Sequence, residues 1–187
     1  MLLSFILFGP VFCLDKRYRY TYYLDYEMKA YRRSNGSDIV KWRLQTNIQR
    51  DPSNVLLRCI PDFVFIWEDE ESDPDLCLYG EAKRLFGTGA SLAGKYVEEG
   101  LLDYTEGRYG RGHNYGIMIG YVLAAPLSKA VDAVKKAMND RKAITAEISP
   151  FTLSNSFSSH LFTHQSTHLQ NGFKDPMTII HLFLDFS

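Results

Sequence analysis

The sequence predicts an α/β fold built on a mixed sheet, and three observations carry that prediction. Runs of β-branched and aromatic residues, or of two-residue alternation, recur at 39–48, 63–67, 76–82, 115–124 and 177–186. Helical periodicity lies between and before them, at 18–33, 91–106 and from Pro126 to about Arg141. The chain has 187 residues, 45% of them hydrophobic, which suits a single compact domain over 1–187 that buries its own core.

The elements follow in order. The opening run MLLSFILFGPVFCL has no preceding Lys or Arg and no small-x-small cleavage site, and Pro10 interrupts it, so it predicts a buried first element. It is shorter than the roughly 20 apolar residues of a membrane helix, and no other stretch comes closer, so no membrane association is expected. The 18–33 helix ends at Ser34-Asn35-Gly36, a stop signal. In 39–48, Ile39, Lys41 and Arg43 alternate with Val40, Trp42 and Leu44, and Arg50-Asp51-Pro52-Ser53-Asn54 breaks the strand.

The strands 63–67 and 76–82 flank a polar acidic stretch, 68–75, and read as a hairpin. A helix over 91–106 leads into the glycine-rich loop Gly107-Arg108-Tyr109-Gly110-Arg111-Gly112 and then a buried strand, 115–124. Pro126 opens an amphipathic helix whose apolar face is Leu127, Ala130, Val131, Val134 and Met138. Residues 149–172 are rich in Ser, Thr, Asn and His with weak periodicity and predict no element, and 177–186 closes the chain as a buried strand. The order is α, β, β, β, α, β, α, β, without an internal repeat.

The formal net charge of -1 excludes a polybasic protein that binds nucleic acid through net charge alone. Charge is nevertheless segregated. From Lys16 to Arg58 bases outnumber acids, whereas Asp62, Glu68, Asp69, Glu70, Glu71, Asp73, Asp75 and Glu81 follow with no base among them. The cysteines Cys13, Cys59 and Cys77 are odd in number and lack CxxC spacing, which argues against a disulfide framework and a four-thiolate zinc site and predicts a cytoplasmic protein.

The chemistry concentrates in Pro61-Asp62 and Gly80-Glu81-Ala82-Lys83-Arg84. On a strand, Glu81 and Lys83 project to one face while Ala82 points to the other. If the two runs pair as a hairpin, Asp62 lies near the end opposite Glu81, and two carboxylates and an ammonium converge. Phosphodiester hydrolysis needs charge compensation at phosphorus and a hydroxide at neutral pH. Mg²⁺ held by Asp62, Glu81 and the Ala82 carbonyl meets both demands, with Lys83 orienting or deprotonating water.

These residues resemble the PD-(D/E)xK nuclease superfamily, whose restriction-endonuclease-like fold is an αβββαβ core with a central mixed sheet flanked by helices. Here a C-terminal helix and strand are added to it. Pro61-Asp62 and Glu81-Ala82-Lys83 match the signature, and the element order matches over about 18–124. The resemblance implies a Mg²⁺-dependent nuclease, with Mn²⁺ able to substitute, acting on DNA through catalytic Asp62, Glu81 and Lys83. It adds Glu27, on the first helix, as a further acid, and points to Lys95, Tyr96 and Arg108 on or after the helix that follows the Glu-x-Lys strand.

Other patterns compete. Gly89-Ala90-Ser91-Leu92-Ala93-Gly94-Lys95 fits the G-x-x-x-x-G-K part of a phosphate-binding loop, but Tyr96 stands where Ser or Thr must ligate Mg²⁺, and the candidate Walker B strand, 181–185, comes last. His160, His164 and His168 would align on one helical face as zinc ligands, yet their neighbours are poor helix formers. The 68–75 stretch lacks the glycine and terminal glutamate of a calcium loop. Two basic patches are expected to seat nucleic acid: the Tyr-rich segment with Arg32 and Arg33, and the loop with Arg108 and Arg111, together with Lys95.

The reading that follows is a small DNA endonuclease. Its core uses nearly the whole chain, so target choice is expected to come from a homodimer or a partner subunit, and analogy with the superfamily suggests prokaryotic (phage) defence or DNA processing. The reading from another class is a non-catalytic nucleic-acid-binding or assembly module that keeps the fold as a scaffold.

Overall fold

The computed structural model describes residues 40–44, 62–67, 77–86, 89–154 and 162–187. The helix predicted over 18–33, with Glu27, Arg32 and Arg33 on it, lies outside the described residues, as do the 68–75 stretch and His160.

Among the described residues seven strands form one mixed sheet in the order β1-β2-β3-β4-β7-β6-β5. They are β1 (Val40–Leu44), β2 (Phe63–Trp67), β3 (Cys77–Phe86), β4 (Tyr115–Ala124), β5 (Glu147–Leu153), β6 (Thr163–Leu169) and β7 (Pro176–Asp185). β1, β2 and β3 run as an antiparallel meander. β3, β4 and β7 are mutually parallel, and β6 and β5 complete the sheet antiparallel. The near-continuous apolar runs of β4 and β7 follow from this: central parallel strands are covered on both faces and need no polar alternation.

The β3-to-β4 crossover is helical, as parallel pairing requires. It comprises α1 (Ala90–Tyr96), a π-helical turn (Val97–Leu101) and α2 (Leu102–Thr105). The helix expected over 91–106 is therefore present, running without interruption over 90–105, with a π-helical turn at its middle. The β4-to-β7 crossover contains α3 (Leu127–Asp140) and α4 (Lys142–Thr145). Pro126 is the N-cap of α3, where its missing N–H costs nothing; of the predicted stripe Ala130, Val131, Val134 and Met138 are buried and Leu127 is partly buried, and Ala137 joins them.

The sheet buries two apolar clusters on opposite faces. The helix-covered one includes Leu85, Tyr96, Leu101, Tyr104, Met118, Val134 and Phe183. The other includes Phe63, Ile119, Tyr121, Ile180 and Leu182. Among the described residues no helix is long and apolar enough to cross a membrane.

Two expectations are corrected. β3 runs on through Lys83 to Phe86, because its pairing with β4 continues to Phe86↔Ala124 where the sequence reads as a polar strand end. The segment 149–172, expected to be irregular, contains most of β5 and all of β6, paired antiparallel. Its inward positions on β6 are polar: Ser166 and His168 are fully buried. They satisfy one another by hydrogen bonds, so the strand forms without hydrophobic alternation.

Candidate active site

The site is built where β2 ends beside the middle of β3. The last rung of that ladder is Phe63↔Gly80, so one further step sets Asp62 opposite Glu81. Gly80 fixes this register. A Cβ there would fall 1.8 Å from Cε2 of Phe63, so the bare backbone at Gly80 is what accommodates the ring. With Phe63 committed to one face, Asp62 is directed to the other, which carries Glu81 and Lys83.

Asp62 Oδ2 accepts the backbone N–H of Ala82 at 2.8 Å. In a strand the N–H and C=O of one residue point to the same edge, so the Ala82 carbonyl also faces the Asp62 side, beyond the last rung with β2. Glu81 is 5% exposed. Its Oε1 accepts a short hydrogen bond from Lys83 Nζ, while its Oε2 is buried and has no hydrogen-bond partner among the described residues. Burial foremost, and then the neighbouring charge of Asp62, push the Glu81 carboxyl up to about 8, against the opposing pull of Lys83.

Lys83 reaches the site along the π-helical turn. A Cβ on Gly100 would lie 2.5 Å from Cε of Met118 and 3.4 Å from Cε of Lys83, so this glycine lets the turn sit close against both side chains. Beyond the turn, α2 presents Asp103, a residue that sequence reasoning did not single out. Asp103 is buried, and burial raises its carboxyl while the Arg108 guanidinium and a hydrogen bond from Tyr109 draw it back down. Its charge acts on Glu81, and the charge of Lys83 acts on it. A π-turn, which shifts the helical face by one residue, leaves no signature in a periodicity count. Next to Asp103, the Tyr104 hydroxyl is shared between the carbonyls of Tyr79 (3.0 Å) and Ile117 (2.9 Å), which clamps α2 onto β3 and β4.

The remaining sequence candidates are placed differently. Arg108 is held by Asp103 (2.8 Å) and Glu106 (2.7 Å). Arg111 is exposed, with its guanidinium over the ring of Phe173. Lys95 pairs with Glu99 at 3.3 Å. Tyr96 is fully buried in the core, away from solvent. The phosphate-loop reading is excluded by secondary structure: Ala90 to Tyr96 is helix, and Lys95 sits in its last turn, whereas a phosphate-binding lysine belongs at a helix N-terminus.

The histidine pattern is also corrected, because His164 and His168 lie on a strand, β6. His168 Nδ1 donates to the Thr145 carbonyl at 2.8 Å, which leaves its Nε2 as an acceptor. Ser166 therefore donates to His168 Nε2 (2.7 Å) and accepts from His181 Nε2 (2.8 Å), and the Tyr96 hydroxyl donates to His181 Nδ1 (2.9 Å). This chain occupies both ring nitrogens of His168 and His181. Burial lowers the His168 imidazole to about 4 and that of His181 well below the ordinary histidine value.

Among the described residues no group of three or more His, Cys, Asp or Glu side chains is gathered to hold a metal ion. A cation between Asp62 and Glu81 would thus rest on two carboxylates and a carbonyl. The orphaned Glu81 Oε2 fits that role, since an unpaired buried carboxylate oxygen is costly and a hard cation satisfies it. Compared with models of known families, with curated proteins and with solved structures, the chain matches none.

Proposed function

We propose that this chain is a cytoplasmic, Mg²⁺-dependent endonuclease of the PD-(D/E)xK, restriction-endonuclease-like kind that hydrolyses phosphodiester bonds of DNA. The observation that carries the proposal is Glu81: a buried carboxylate with one oxygen on Lys83 and the other without a partner among the described residues, set across the strands from Asp62. Leaving that oxygen open costs stability, and the charge of Asp62 set opposite adds to the cost. The antiparallel meander of β1 to β3, followed by a helical crossover to parallel β4, supports the same reading.

Asp62, Glu81 and the Ala82 carbonyl would hold the cation, Mg²⁺ or Mn²⁺. When bound, it supplies Lewis acidity and charge neutralisation at the phosphorus centre. Asp62 is oriented for that task by the Ala82 N–H. Lys83 is partly exposed, with its ammonium on Glu81, and from there it orients the attacking water and stabilises negative charge as it develops. Target choice by a homodimer or a partner subunit, and a role in genome defence or DNA processing, belong to the same proposal.

The test is cleavage by the purified chain of plasmid DNA and of labelled single-stranded DNA and RNA, with Mg²⁺, Mn²⁺ or EDTA, beside Glu81→Ala. Metal-dependent cutting lost in the variant is expected. If wild type and Glu81→Ala cut alike, the site is elsewhere. If neither cuts and calorimetry finds no Mg²⁺ binding that depends on Asp62, the scaffold reading replaces the enzyme.

A further inference from the structure

We propose that residues 107–113 form a preformed grip for backbone phosphate beside the carboxylates, with Arg111 as the phosphate contact and Gln170 as the residue that positions the loop. The proposal rests on the nuclease reading for the identity of the ligand, and adds which surface holds it.

The loop borders the site. Tyr79 lies on β3 two residues before Glu81 and shares its face, about 7 Å away by strand rise. The His113 ring packs on Tyr79 with centroids 5.3 Å apart, and a Cβ at Gly110 would be 3.3 Å from the Tyr79 ring. The other root of the loop is Asp103, whose carbonyl accepts the N–H groups of Arg108 (2.8 Å) and Tyr109 (2.9 Å).

The loop is also ordered in advance. Gln170, just beyond β6, is 2% exposed. Its amide nitrogen donates to the carbonyls of Tyr104 (2.9 Å) and Gly110 (3.0 Å), and its oxygen accepts the N–H of Gly112 at 2.5 Å. These bonds hold a backbone that turns at Gly107, Gly110 and Gly112, each at positive φ. Ordering a flexible loop costs conformational entropy at every residue, so a loop fixed before binding keeps that free energy for the ligand.

Charge then separates the two arginines. Arg108 is neutralised by Asp103 and Glu106, whereas no carboxylate among the described residues holds Arg111. Its guanidinium lies 5.7 Å from the centroid of Phe173, exposed at the loop surface. A planar donor braced on a ring at the rim of a cleavage site suits a phosphate oxygen.

The experiment is fluorescence anisotropy of a fluorescein-labelled DNA duplex in EDTA with the full chain, titrated with salt. Arg111→Ala is expected to weaken binding roughly tenfold, as for one charge-assisted contact. It should also reduce the slope of log K against log salt by about 0.9. Lys136→Ala on α3 removes the same charge far from the loop in sequence and serves as the control that changes neither. Gln170→Ala is expected to lose similar affinity and, in cleavage, to raise KM more than it lowers kcat. Equal effects of Arg111→Ala and Lys136→Ala, or lost affinity with an unchanged salt slope, overturn the grip even if Gln170→Ala fails to fold. Absence of cleavage with Arg111-dependent binding retained overturns the nuclease reading instead.

Discussion

Phe63 lies with its ring across Gly80, on the face of the sheet opposite Glu81, and this contact sets the register that brings Asp62 level with Glu81. The glycine is therefore as much a part of the site as the acids, although it carries no functional group. Gly80→Ala is expected to cost about 1–3 kcal/mol, because the ring must leave its rotamer or the strands must part. Phe63→Leu alone removes ring area, yet in the double variant it should recover part of the Gly80→Ala loss. Denaturant titration of the four proteins reads the coupling, and additive losses would show that the ring does not fix the register.

Glu81 predicts a stability that falls as pH rises. Its carboxyl is raised from 4.5 to about 8 in the folded chain, so between these values the folded state holds a proton that the unfolded state has lost. The contribution is complete below 4.5 and disappears as pH passes through 8. Thermal melts should show Glu81→Gln gaining on the wild type from pH 5 to pH 8. Mg²⁺ should raise the wild-type Tm more at pH 8 than at pH 6, since binding there displaces less proton, and should leave Glu81→Gln unmoved.

Gly100 predicts a graded effect on Lys83. Gly100→Ala meets chiefly the mobile end of Met118 and gains helix propensity, so its stability should stay within about 1.5 kcal/mol of wild type. Gly100→Leu occupies the path of the Lys83 stem and should lower kcat by roughly 10²-fold, in the manner of Lys83→Ala. Mg²⁺ binding by calorimetry should persist in both. Full activity of Gly100→Leu would show that Lys83 is not positioned by the turn.

The buried His168-Ser166-His181 chain predicts acid sensitivity of the opposite sign. His168 is lowered from 6.5 to about 4, so protons bind the unfolded chain first, and the stability present above 6.5 is lost as pH falls through 4. Ser166→Ala strips one partner from each imidazole and should cost about 1–3 kcal/mol for each ring nitrogen left unpaired. Urea titrations at pH 7 and pH 5 check both effects. A His168→Gln variant that loses as much stability as wild type between those pH values would remove His168 as the cause.

Much of the frame was legible in the residues. The runs 63–67 and 115–124 coincide with β2 and β4, and the stripe from Leu127 to Met138 lies on α3, because hydrophobic period is a local property. The pairing of Glu81 with Lys83 was legible for the same reason: two-residue spacing on a strand permits nothing else. The β5–β6 pair was not, since Ser166 and His168 are buried as partners of one another and of His181, across the sheet, and no local pattern announces that.

What the sequence by itself determined is the run of elements from β2 to α3 and the closing strand β7, the apolar face of α3, and Asp62, Glu81 and Lys83 as neighbours on paired strands. Only the tertiary structure decided that Glu81 is buried with one oxygen unpartnered among the described residues, that a π-turn at Gly100 precedes Asp103, whose charge acts on Glu81, and that Arg108 is held by carboxylates while no described carboxylate holds Arg111. The division has a physical cause. Period and turn chemistry act between residues a few positions apart, whereas desolvation, charge coupling and ion pairing depend on which distant segments the packed sheet brings together.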